Sequence, residues 1–125
     1  METGINNKCK AFTSLEQSRK LAEILPLESA DMYYLNGDAG KISIGEWENN
    51  VHDEDDIPCW SLAALLNILS EIKPQVYTPI LFPSEGKWIL QFAEHGHGNV
   101  CEVSCDNPVD ACYEMILKLN ELNLL

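Results

Sequence analysis

Apolar positions along this chain switch between two spacings, one suited to helices and one suited to strands. In FTSLEQSRKLAEIL, Leu15, Leu21, Ala22, Ile24 and Leu25 fall on one side of a helix. Thr13 and Glu16 have the spacing of a capping box, each side chain satisfying a backbone N–H at the helix start. Pro26 closes the segment, because proline cannot donate to a helix and restricts the residue before it. In ADMYYLNGDAGKISIGEW the dipeptide Asn36-Gly37 tolerates positive φ. Residues 33–35 and 41–47 flank it with β-type side chains, predicting a hairpin with its loop at 36–40.

The segment from Glu46 to Asp56 carries six acids and no Lys or Arg, and reads as an acidic loop. It leads into IPCWSLAALLNILSEI, where Leu62, Leu65, Leu66 and Leu69 predict a second helix that ends at Pro74. VYTPILF and KWILQF then read as strands joined through Gly86. Pro79 removes a ladder donor, so its strand belongs at a sheet edge or begins after it. The turn HGHGN leads to a third strand, VCEVS. The last helix is written in DNPVDACYEMILKLNELNLL: Asn107 as N-cap, Pro108 at the first position, Asp110 in the first turn. Val109, Cys112, Ile116 and Leu119 form its buried stripe.

The order helix, hairpin, helix, meander, helix predicts an α+β domain with about three helices and four or five antiparallel strands. Residues 1–11 are expected to be a flexible segment and 12–125 a single domain. LAEILPLESADMYY and LLNILSEIKPQVYT share Leu21/Leu65, Ile24/Ile68, Leu25/Leu69 and Tyr33/Tyr77. That echo fits a degenerate duplication or only a common helix-then-strand pattern.

Length changes this picture little: 125 residues suffice for one core without a structural metal. Charge changes it more. Eight basic residues against twenty acids give −12, which opposes direct contact with phosphate backbones or anionic lipid. Nothing in the sequence reaches the ~20 apolar residues of a membrane span, and METGINNKCK lacks the apolar run of a secretory signal. Cys9, Cys59, Cys101, Cys105 and Cys112 are odd in number and irregular in spacing, as expected of reduced thiols in a cytoplasm.

Ligand-type residues concentrate in HGHGNVCEVSC. His95, His97, Cys101 and Cys105 are the candidate metal ligands, since zinc takes nitrogen and sulfur donors. Strand alternation puts both cysteines on one face but two residue pairs apart, too far for ordinary chelation. Glycines interleave the histidines as in a hairpin turn, so we adopt the turn-and-strand reading and expect no metal or other cofactor. HDEDD at 52–56 lacks the alternating oxygen ligands and glycine of a calcium loop. Cys59, near the predicted start of helix two, is the candidate nucleophile. It needs a histidine base, and nothing in the spacing assigns it His52, His95 or His97. No catalytic residue is adopted, and no phosphate-binding or hydrolase motif is present.

FTSLEQSRKLAEILPLESADMYY, IPCWSLAALLNIL and DNPVDACYEMILKLNELNLL together resemble a group of small proteins of gut Bacteroides-type bacteria found near phage or mobile-element genes. The resemblance runs from about Phe12 to Leu125 and excludes HGHGNVCEVSC. The group has no assigned activity, so no site residue transfers; the resemblance implies a cytoplasmic bacterial accessory protein. The acidic surface, the supply of aromatic residues and the missing catalytic constellation make the expected function non-enzymatic binding of an unknown protein partner, without direct nucleic-acid or membrane contact. Two alternatives stand beside it: an acidic nucleic-acid mimic that occupies a DNA-binding protein, and a metal- or thiol-dependent enzyme.

Overall fold

Ser14, rather than Thr13, caps the first helix. The computed structural model describes residues 10–45, 47–48 and 52–125; Cys9, most of the N-terminal segment and part of the acidic loop lie outside them. Helix α1 spans Leu15–Ala22. The Ser14 hydroxyl accepts the Gln17 N–H at 3.1 Å, and Gln17 Oε1 accepts the Ser14 N–H at 3.0 Å. The capping box is therefore one residue later than the sequence pattern suggested. Thr13 is drawn inward instead: its Oγ1 accepts the Trp60 N–H at 3.1 Å and lies 2.7 Å from the Ser18 hydroxyl. An interior N–H without another partner competes successfully for a threonine hydroxyl, because leaving it unpaired costs about 1–3 kcal/mol.

The hairpin forms with β1 at Met32–Tyr34, one residue earlier than expected, and β2 at Ile42–Ile44, shorter than the expected 41–47. Asn36, at φ 54°, takes the left-handed turn conformation its identity predicted. A further strand was not anticipated. β3, Ile57–Cys59, pairs antiparallel with β1, giving a sheet of order β2-β1-β3. The stretch expected to run directly into the second helix thus first completes a sheet. Pro58 is tolerated because β3 is an edge strand. Helix α2, Leu62–Ser70, begins only after Ser61, whose hydroxyl accepts the Ala64 N–H at 3.2 Å.

The meander is present as predicted: β4 (Tyr77–Ser84), β5 (Lys87–Glu94) and β6 (Gly98–Cys105) pair in sequence order. β4 carries Pro79 at the sheet edge, the first of the two placements expected for it. Helix α3, Pro108–Glu121, has Asn107 as N-cap, its side chain accepting the Asp110 N–H at 2.8 Å. The class is α+β, with three α-helices among the described residues, as read from the pattern. Those residues form six strands rather than four or five, in two three-stranded sheets, the added strand being β3.

One core joins the halves: Leu21 and Leu25, Trp60, Leu65 and Leu69 of α2, Leu90 and Phe92 of β5, and the stripe Val109, Cys112, Ile116 and Leu119 of α3. A smaller cluster of Met32, Tyr34 and Cys59 lies against β1 and β3. The sequence echo corresponds to α1–β1 and α2–β4, each a helix followed by a strand. β1 is central in its sheet and β4 is an edge, so the two halves share a local pattern and not a sheet topology.

No helix among the described residues is long and apolar enough to cross a membrane.

Candidate functional site

Each ligand-type residue of HGHGNVCEVSC has a place in the hairpin. Glu94 pairs with Gly98, so His95, Gly96 and His97 form the loop between β5 and β6. Gly96 and Gly98 sit at φ +82° and +86°, and an added Cβ would meet nothing within 4 Å at either. Conformation, not space, therefore calls for glycine there. His95 clasps the loop to the entry of β4. Its N–H donates to the Val76 carbonyl at 2.8 Å, Nδ1 lies 3.1 Å from the Gln75 carbonyl, and Nε2 lies 2.6 Å from Thr78 Oγ1. A carbonyl can only accept, so Nδ1 carries the proton and Nε2 accepts from threonine. His97 is exposed. Cys101 and Cys105 face the helix-covered side of the sheet, as alternation predicted, with Cys101 Sγ 3.2 Å from Met115 Sδ. Among the described residues, no three His, Cys, Asp or Glu side chains are grouped to hold a metal ion.

Cys59 ends β3 and is fully buried, three residues before α2 rather than at its first turn. Its thiol donates to the Thr13 carbonyl at 3.4 Å. Burial raises its pKa, and burial pushes Cys112 up to about 12. Both thiols are protonated near neutrality, whereas nucleophilic attack requires a thiolate.

The pair His52 and Asp56 was not singled out as a unit in the sequence. His52 Nδ1 lies 3.2 Å from Asp56 Oδ2, and Nε2 accepts the Glu48 N–H at 3.1 Å. Nε2 is thus unprotonated, and Nδ1 donates to the carboxylate. The ring stacks on Trp47 with centroids 3.9 Å apart and meets the edge of Tyr33 at 4.5 Å. Asp56 also accepts the Asn36 N–H at 2.9 Å and the Asp53 N–H at 3.2 Å. The Asn36 hydrogen bond leads in holding its pKa below the usual carboxylate value, against an opposing effect of burial. A histidine with both nitrogens engaged is a loop clasp, not a free base. The acidic run is organised as a turn around Asp56.

A different feature offers room for a partner. A cavity of about 490 Å³ opens between the helix ends, with Ile24, Leu25, Ile68, Ile72 and Leu125 among its apolar walls and Glu71 at its side. A second cavity of about 390 Å³ shares Ser29, Ile68 and Glu71 with it and adds Glu28, Asp31, Ala63 and Ala64. The shared walls make one groove along α2. Among the described residues, no Lys, Arg or His lines either part. The groove has no signature in the sequence pattern, because Ile24 and Ile72 lie just beyond the helix ends and Ile68 lies off the Leu62, Leu65, Leu66 and Leu69 stripe of α2.

No family model, curated protein or solved structure matches this chain.

Proposed function

We propose that this protein is a non-enzymatic, protein-binding accessory factor of the bacterial cytoplasm. The groove along α2 carries the reading. It combines partly exposed apolar side chains with acids and no basic residue, on a chain of net charge −12. A concave, mostly apolar site with a few convergent polar groups is the default place for a binding partner. The chemistry of the other candidates supports the same reading. Cys59 is sealed and protonated, His52 is committed at both nitrogens, and His95 is a turn clasp. Four described cysteines are free thiols, which suits a reducing compartment.

The test is a quantitative pull-down from host lysate with the wild-type chain and an Ile72→Asp variant of unchanged circular dichroism. The expected result is a reproducible partner retained by the wild type and depleted at least about tenfold by the variant. Repeated recovery of no partner counts against the reading.

A further inference from the structure

Resting on that protein-binding reading, we infer that the groove receives a basic amphipathic helix of the partner. Its walls are helix ends. Ile24 and Leu25 follow α1, Ile68 and Ile72 lie in and just beyond the last turn of α2, and Asn120 and Leu125 mark the end of α3. Each helix C-terminus carries partial negative charge. Three such ends meet at one cavity, and Glu71, Glu28 and Asp31 add full charges along its length.

Arg19, Lys20 and Lys118 in the last turns of α1 and α3 offset part of the helix-end charge, but none lines the groove, so the carboxylates of Glu28, Asp31 and Glu71 set its sign. Lys73, next after Ile72, is exposed and does not line it either. Among the described residues, the lysine salt bridges engage Asp110 and Asp106, not the acids of the groove. Asp31 is tied to Ser61 by hydrogen bonds, which leaves its charge in place. A cationic occupant is attracted to this potential and an anionic one repelled.

Charge alone would suit any cation; the apolar floor narrows the choice. A helix with apolar residues at i, i+3 and i+4 can fill the space beside Ile68 and Ile72 while flanking Lys or Arg meet Glu28 and Glu71. Ala63 and Ala64 on the wall of the second cavity are small enough for a helix to approach closely.

The probes are two peptides of about 14 residues, some four helical turns, sharing a Leu/Ala face and bearing either Lys or Glu opposite it. Binding to the full chain is followed by methyl NMR and fluorescence anisotropy. The expected result is that the Lys peptide binds, shifts Ile24, Ile68, Ile72 and Leu125 methyls first, and weakens as salt rises. Ile72→Asp should weaken it at least about tenfold. Glu71→Lys, an exposed change that leaves the core intact, should weaken it at least about threefold. Equal binding of the Glu peptide, or shifts centred on Ile80 and Ile89 of the open sheet face, overturns the inference but not the broader reading. Self-association abolished by Ile72→Asp also overturns it, assigning the groove to a second copy. Repeated failure of the wild-type chain to retain any host partner, by contrast, removes the broader reading itself.

Discussion

Gln17 and Asp110 are 93 residues apart in sequence, yet Gln17 Nε2 donates to Asp110 Oδ1 at 2.9 Å. Lys10 Nζ reaches the same oxygen at 2.8 Å and also donates to Gln17 Oε1 at 2.8 Å. The two helix starts, α1 and α3, are thereby fastened to each other. Gln17 completes the cap of α1 while Asp110 sits in the first turn of α3, where a negative charge is favoured.

Removing that link should be costly and cooperative. Gln17→Ala is expected to destabilise the fold by about 1–2 kcal/mol, through the lost cap and the lost partner of Asp110. Urea titration of Gln17→Ala, Asp110→Ala and the double variant should give a non-additive cycle, because the two share one network. Additive losses would mean the contact contributes nothing as a pair.

Acid should loosen the molecule at two carboxylates. Burial opposes ionisation of Asp110, but hydrogen bonds from Lys10, Gln17 and Asn107 outweigh it and lower its pKa. Asp56 is lowered as well, chiefly by the Asn36 N–H. For a group with a depressed native pKa, the unfolded state binds protons first. Its stabilisation is complete above the ordinary carboxylate pKa of about 3.9 and is lost as pH falls through the native value. Melting temperature should therefore fall steeply below about pH 4, and Asp56→Asn should make that fall shallower. An identical acid limb in the variant would remove Asp56 from the account.

Thiol chemistry offers a third check. In the folded protein, Cys59 and Cys112 should react with a thiol probe at least about a hundredfold more slowly than in urea, since reaction needs both exposure and a thiolate. Labelling of Cys59 at native rates would restore it as a candidate nucleophile.

The β5–β6 turn makes the fourth. Gly96→Ala and Gly98→Ala should each cost about 1 kcal/mol because of their positive φ, although both sites are open. His97→Ala, on the exposed tip, should change stability by no more than about 0.5 kcal/mol, with or without added zinc. Zinc-dependent stabilisation lost on His97→Ala would revive the metal reading.

Much of the fold was legible in local spacing, and the failures have physical causes. α2, α3 and the meander follow from apolar period, caps and turn residues, which act within a few positions of each other. The N-cap was misplaced because Thr13 and Ser14 compete for the same role. Their choice is settled by Trp60, 47 residues away from Thr13. β3 escaped notice because a three-residue edge strand containing Pro58 has no period to detect; its partner β1 defines it. The His52–Asp56 clasp had an i, i+4 spacing, but its meaning depends on Glu48, Asn36 and Trp47 closing around it. The groove is least legible of all, since it forms only where α2 meets the segments that follow α1 and α3.

The groove along α2 is the proposed place of partner binding. The most direct measurement is photocrosslinking in the native host with a photoreactive residue at position 68, compared with one at exposed Ser104 on β6. The account predicts a discrete adduct from position 68 that position 104 does not give. Adducts from position 104 alone, or none from position 68, would contradict it.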